Sequence, residues 1–346
     1  MSKVYIGIDL AAKVCVAAVR DEEGELVCVR EFPTSEKSLV SFISCVEGEA
    51  VVLMEECDLA YWARRVLLPY AEKVDVADPR RNAWIHKDPI KNDKIDAKKL
   101  AEIAQLGSYH AVWHTPDENV YALHLAVKAY DRLTKKVVAQ KNQIKAKLRA
   151  QGIICEGSRV YGRRGREEAL ARVENPAVRE IISSDYDHLD FLSAERAKAR
   201  RRFLALASHV PVTRAWQAIP GVGPVTAARF CAYVKCPQRF SDSRKLWRYC
   251  SLGITQCVSG GKELRRQRLD RMGCGALKDA SMKAFLAAMR AEGDNRFKRA
   301  YANTLANTGS ALHARLSTQR KMVAVMWAMW LHGTPYDDAN KPDRWA

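Results

Sequence analysis

Val4-Tyr5-Ile6-Gly7-Ile8-Asp9 is a short apolar run that ends on a carboxylate. It predicts a strand, and an acid in that place stands where the sheet gives way to a cleft. Outward from it, Val14 to Val19 predicts a second strand. The turn Asp21-Glu22-Glu23-Gly24 leads into a third, Glu25 to Arg30, so the chain opens on hairpins. Ser35 is placed to cap a helix through Ser41 to Val46, ended by Gly48. Ala50 to Met54 is continuously apolar, the mark of a central strand covered on both faces. A helix over Tyr61 to Tyr70 and a fifth strand, Lys73 to Ala77, closed by Pro79, follow.

Three strands, then helix, strand, helix, strand, helix is the order of an RNase H-like (RuvC-like) α/β domain, expected here over residues 1–115. Its acids suit that expectation. Phosphoryl transfer on nucleic acid needs charge neutralised at the attacking and leaving oxygens. Two Mg²⁺ ions roughly 3.5–4 Å apart do this, and hard cations take carboxylate oxygens. Asp9 ends the first strand and Glu55 ends the buried strand at Met54. Asp93 and Asp96, three apart in Lys91-Asn92-Asp93-Lys94-Ile95-Asp96-Ala97, share one face of a helix. Taken singly, Asp9 could be a strand-end cap, and Asp93 with Asp96 a solvated helix start suited to the macrodipole. Either of Glu55 and Glu56 could be a surface acid, and the two point apart.

Charge is distributed unevenly. Residues 1–115 hold 15 Lys/Arg against 19 Asp/Glu, while the rest holds 42 against 21. An acidic head on a basic body suits a carboxylate centre joined to a polyanion-binding surface, although a solvated basic face gives the same count. The first residues show no basic-then-apolar leader, so export is not expected. The longest apolar run, Met322 to Leu331, is half of the ~20 residues a membrane span needs, and is expected as a buried helix without membrane contact. The ten cysteines form no C-x-x-C pair, which points to reduced thiols in a cytoplasm. His110 and His114 lack a second ligand pair, so zinc is not expected there.

Leu123, Tyr130, Val137 and Ile144 recur every seven residues and predict one long helix over 119–150. Gly152 and Gly157 to Gly165 then interrupt the pattern in a basic loop, with Arg159, Arg163, Arg164 and Arg166, before a second helix over 177–207. Together they predict a helical coiled-coil arm over 116–209, or a plain helical linker. From Val210 a mostly α-helical C-terminal domain, 210–346, opens on Ile219-Pro220-Gly221-Val222-Gly223-Pro224, which is similar to the turn of helix-hairpin-helix DNA-binding elements. There Gly221 and Gly223 would let backbone N–H groups approach a phosphate.

The sequence resembles the DEDD recombinases of the insertion-sequence 110 family, including the Piv-type DNA invertases. The resemblance lies in Gly7-Ile8-Asp9-Leu10-Ala11, Met54-Glu55 with Tyr61-Trp62, Asp78-Pro79-Arg80, and Lys91 to Ala97 with Leu100-Ala101. It continues in Ile219 to Thr226, Leu252-Gly253, Ser259-Gly260-Gly261-Lys262 and Gly333-Thr334-Pro335-Tyr336-Asp337. It implies a DNA transposase or site-specific recombinase. Asp9, Glu55, Asp93 and Asp96 would bind Mg²⁺, with Mn²⁺ as a substitute, and Ser259 would attack DNA to form a phosphoserine intermediate. From the residues alone, Ser259 reads as a flexible loop serine. The resemblance further implies a structured guide (bridge) RNA that selects partner DNA strands. It also implies a homo-oligomer, dimer or tetramer, with composite sites across subunits. Lys262, Arg265, Arg266, Arg268 and Arg271 would then grip phosphates, unless they form a solvated basic helix face. The chain departs from the family pattern at Cys57-Asp58, at Val258 and at Gly273-Cys274-Gly275, none of which removes a ligand.

Two other readings use the same residues. One is a RuvC-like Mg²⁺-dependent nuclease or Holliday junction resolvase, with water as nucleophile. The other is a nucleic-acid-binding scaffold with a degenerate centre.

Overall fold

A computed structural model describes residues 2–79, 92–260, 262–270 and 272–338. The chain divides into two compact units, Met1–His114 and Thr115–Ala346.

The first unit is a five-stranded sheet: β1 (Lys3–Asp9), β2 (Val14–Arg20), β3 (Leu26–Pro33), β4 (Glu49–Glu55) and β5 (Lys73–Ala77). Its spatial order is β3-β2-β1-β4-β5. The first three strands are antiparallel, while β4 runs parallel to β1 and β5 parallel to β4. Helices α1 (Glu36–Ser44) and α2 (Ala60–Leu67) supply the crossovers, and α3 (Asp93–Leu106) completes the unit. Ser35 caps α1 by accepting from the Ser38 N–H, but the helix stops at Cys45, short of Gly48. The helix at Tyr61 tightens into a 3₁₀ turn over Leu68–Tyr70, where Pro69 lacks the N–H an α-helix would use.

Strand alternation sorts side chains onto two faces. Val4, Ile6, Ile8, Val52 and Met54 join Leu39, Ile43, Ala63 and Leu67 beneath α1 and α2. Leu53 and Ala77 join Leu100, Ile103 and Ala104 of α3 on the opposite face. Both faces of β1 and β4 are covered, which is why their sequences are continuously apolar. Full burial of a side chain such as Ile6 or Ile8 contributes about 1.5–3 kcal/mol.

The second unit is mostly helical. Helices α4 (Glu118–Ala150) and α6 (Pro176–Ser208) pack as an antiparallel pair, with Tyr130 against Phe203 at one end and Ile144 and Leu148 clustered with Ile182 and Tyr186 at the other. The segment expected as a basic loop between them holds α5 (Arg163–Ala171) instead. Arg163 and Arg164 pair with Glu167 and Glu168 four residues on, a spacing that supports a helix. Gly165 is a close-approach residue and not a breaker, since a Cβ there would lie 2.2 Å from the Arg159 carbonyl oxygen.

The chain continues through α7 (Pro211–Ala215), α8 (Pro224–Val234) and α9 (Ser243–Tyr249) into a hairpin of β6 (Ile254–Ser259) and β7 (Lys262–Leu269). Helices α10 (Gly275–Arg290), α11 (Arg296–Thr308) and α12 (Ala311–His332) close it. Phe203, Trp216, Phe230, Phe285 and the α12 run from Met322 share one core with Val120 and Leu123, so the base of the α4–α6 pair is built into this unit. No helix among the described residues is long and apolar enough to cross a membrane.

The late Thr334-Pro335-Tyr336-Asp337 stretch is strapped to α11 through the next residue. Asp338 accepts from the Arg296 N–H and from Tyr336, and pairs with Arg299 at 2.6 Å. Burial alone would raise this carboxyl, but the hydrogen bonds from Tyr336, the Arg296 backbone and Arg299 outweigh it and hold it at about 2, below the ordinary 3.8. Above pH 4 that preference stabilises the fold, and it is lost as pH falls through about 2. Asp338→Asn is expected to lower the thermal midpoint by about 2–4 °C at pH 7, after solvent screening, and by nothing measurable near pH 2. Melts at the two pH values check both halves of that expectation.

Candidate active site

Asp9 stands at the end of β1, opposite Val16 of β2, and Glu55 ends the neighbouring β4 one step beyond the Ile8–Met54 pair. Alternation places Asp9 on the face of Gly7, and Glu55 on the face of Leu53, which is the side α3 covers. Asn92 caps α3 by accepting from the Lys94 N–H at 3.0 Å, which sets Asp93 and Asp96 in its first turn.

Gly7 brings that helix in. A Cβ at Gly7 would lie 2.1 Å from the Ala97 carbonyl oxygen and 2.3 Å from the Ala101 nitrogen. Ala97 and Ala101 are buried with Val16 and Ala18, so small residues on both sides let helix and sheet backbones nearly touch. The missing Cβ therefore sets how far the first turn of α3 stands from the end of β1. A glycine inside an apolar strand is the sequence signal for such an approach.

The four acids sit within electrostatic reach of one another. The Asp9 carboxyl is pushed up to about 6, first by burial and then by the charges of Asp93, Asp96 and Glu55. Glu56 is directed elsewhere: it is exposed, and its Oε2 lies 3.3 Å from Nε2 of the buried His114. His114 thus has a structural partner. As placed, the like charges keep apart, and among the described residues no three His, Cys, Asp or Glu groups close on a common point that could hold an ion. The donors are hard oxygens of one sign, the set that a hard divalent cation takes, and a cation among them would relieve the repulsion that burdens Asp9.

The second unit carries the remaining candidates. Ser259 is not in a loose loop: it is the last residue of β6, and its backbone pairs with Lys262 of β7. Gly260, which follows, takes φ 57°, a left-handed conformation that favours glycine. Lys262, Arg265, Arg266 and Arg268 lie on β7, so the basic run is a strand and not a helix face. Gly261 and Arg271 lie outside the described residues.

Gly221 has a packing reason for its glycine. At φ 85° it rests on α10, where a Cβ would lie 2.3 Å from the Ala284 carbonyl oxygen. Gly223 precedes α8 in open space. Sequence reading missed Arg229, which is buried and holds α4, α8 and α10 together through Asp131 and Asp279.

Comparison with known proteins gives a consistent result. Residues 6–151 match the DEDD transposase model of the IS110 type, and residues 195–302 match the model described as transposase IS116/IS110/IS902 family. A probable family 20 transposase of Pseudomonas aeruginosa is 25% identical over 274 residues, covering 76% of this chain and 78% of that protein. A transposase for insertion sequence element IS1111A of Coxiella burnetii is 27% identical over 276 residues, covering 75% of this chain and 71% of that protein.

Proposed function

Because the chain belongs to the IS110 family of transposases, enzymes that cut and join DNA, we propose that it does so through a phosphoserine at Ser259, with Mg²⁺ held by Asp9, Glu55, Asp93 and Asp96. The observation that carries this reading is that four carboxylates, from the ends of β1 and β4 and the first turn of α3, lie within electrostatic reach of one another. The strand order, with β1, β4 and β5 parallel and a helix laid across β1, supports taking the first unit as RNase H-like.

Mg²⁺, or Mn²⁺ in its place, supplies the positive charge that offsets the oxyanions of phosphoryl transfer. The residues do the rest. The Ser259 hydroxyl gives up its proton and its oxygen forms a bond to phosphorus. The bond from phosphorus to the leaving strand breaks, and that strand's oxygen takes a proton. Attack by a strand hydroxyl on the phosphoserine reverses the exchange, so joining consumes no ATP. Lys262, Arg265, Arg266, Arg268 and Arg271 hold phosphates near the turn, and Gly223 offers its backbone N–H at the start of α8, beside the tighter Gly221.

Residues 116–209 form the coiled-coil arm and 210–346 the serine-bearing domain in this reading, which the length and pairing of α4 and α6 support. Selection of DNA by a structured guide RNA suits a basic unit without a base-reading motif. A homo-oligomer, dimer or tetramer, completes the proposal.

The test incubates the protein, its copurified RNA and DNA flanking its gene with Mg²⁺, followed by denaturation. The expected result is a denaturant-resistant protein–DNA adduct, mapped to the peptide containing Ser259 and abolished by EDTA. The hydrolytic alternative uses the acids of the first unit with water. Cut DNA without an adduct would establish that alternative and defeat the phosphoserine reading.

A further inference from the structure

Arg320 stands on α12, just before its buried run. Its Nε donates to the Leu252 carbonyl oxygen at 2.8 Å, and the guanidinium carbon lies 5.9 Å from the centre of the Trp247 ring. Trp247 returns a bond, its Nε1 donating to the Arg320 carbonyl oxygen at 3.1 Å. Leu252 is fully buried, and Ile254 begins β6 two residues later. The guanidinium is therefore fixed at the foot of the hairpin whose far end is Ser259.

No carboxylate answers it among the described residues. Arg166, Arg229 and Arg299 each have acid partners, in Asp190, in Asp131 and Asp279, and in Asp294 and Asp338. These partners hold their pKa values above the ordinary one, against the cost of burial. Arg320 is shifted the other way, with burial as the cause. Its terminal nitrogens make no hydrogen bond to a described residue. A half-buried, immobilised cation without a counter-ion costs the free protein stability. A planar fork with its terminal nitrogens unengaged is the geometry that takes two oxygens of a phosphate.

We propose that Arg320 is a phosphodiester-binding residue that grips the DNA strand joined at Ser259's turn, at a backbone position set off from the reaction. Six residues of β6 at ~3.4 Å each put the foot of the hairpin roughly 17 Å from its tip. A duplex strand carries a phosphate about every 3.4 Å along its axis, so the gripped phosphate lies about five nucleotides from the scissile one. Arg320 thus holds substrate without touching the reacting atoms. The assignment of the gripped strand rests on the serine reading of the hairpin, while the phosphate site itself does not.

The test measures binding of the full-length protein to a labelled 30-base-pair DNA duplex and to a single-stranded RNA of equal length. It runs without Mg²⁺, from about 50 to 300 mM salt, so that no chemistry contributes. Arg320→Gln is expected to bind duplex DNA about tenfold more weakly at 100 mM salt. Its slope of log affinity against log salt should fall by about one, because one phosphate contact is gone. Arg320→Lys should recover only part of the affinity. The thermal midpoint of free Arg320→Gln should equal or exceed that of the wild type, since an uncompensated charge has been removed.

Unchanged affinity and slope would overturn the proposal. So would a loss of affinity with a lowered midpoint and an unchanged slope, which is the behaviour of a structural brace. A loss confined to the RNA probe would overturn the assignment to DNA and move the phosphate to an RNA strand. A wild-type protein that bound neither would defeat the phosphate-gripping surface of the proposed function, whereas Arg320→Gln equal to wild type defeats only this assignment.

Discussion

Ser259→Ala is expected to yield a protein that binds DNA with wild-type affinity and never becomes linked to it. The substitution removes one hydroxyl oxygen, the atom that would bond to phosphorus, and water in its place could give only hydrolysis. Adduct and joined product should therefore fall by at least about 10³-fold, the scale on which loss of a covalent nucleophile acts. The fold should not register the change. Ser259 closes a strand through backbone pairing with Lys262, which an alanine makes equally well, and Gly260 beside it keeps its φ of 57°. The midpoint should stay within about 1–2 °C. Gel analysis of the denatured reaction, beside a binding titration, separates the outcomes. An adduct that persists in Ser259→Ala would remove the serine from the mechanism. Binding lost together with the adduct would make it a structural residue.

The head of the chain is legible because its physics is local. Ile6, Ile8, Val52 and Met54 are apolar because both sheet faces are covered, and the acids stand out because they interrupt those runs at strand ends. Alternation sends Glu55 and Glu56 to opposite sides, and it is the family resemblance that picks Glu55 of the two. The second unit hides more. Lys262-Glu263-Leu264-Arg265-Arg266-Gln267-Arg268-Leu269 has no alternation of apolar and polar residues, and reads as a helix face although it pairs as β7. Pairing of β6 with β7 decides that segment, and intrinsic propensity is easily overridden by such pairing. The α5 segment failed for a related reason: its glycines read as breakers, and only the packing of Gly165 against Arg159 shows otherwise. Arg320 could not be singled out at all, because an arginine without a counter-ion is a property of its surroundings. Sequence patterns report periodicity well and neighbours across the fold poorly.

Gly7→Ala is expected to disable the first unit almost as thoroughly as removing an acid, although Gly7 has no side chain to contribute. Real Cβ atoms essentially never approach other heavy atoms within 3.0 Å, and this one would meet the Ala97 carbonyl oxygen at 2.1 Å. Both obstacles, the Ala97 oxygen and the Ala101 nitrogen, are backbone, so no side-chain rotation can relieve them. Helix α3 must retreat by roughly 1 Å or the local pairing of β1 must break, and overpacking of this kind costs about 1–3 kcal/mol or more. Asp93 and Asp96 would move with the helix, away from Asp9 and Glu55. A misplacement of about 1 Å is enough to cost ~10²-fold in rate. Two measurements discriminate. The thermal midpoint should fall by several degrees, and in protein still folded at 20 °C the Mg²⁺ concentration giving half-maximal adduct should rise at least about tenfold. A merely destabilised protein would show the first change without the second, which would mean that the spacing of α3 from β1 does not set the metal affinity. A Gly7→Ala protein that melts and titrates like the wild type would show that α3 does not lie on β1 as described. Gly7→Val carries the same Cβ and two further methyl groups into the same backbone, and should fail to fold its first unit.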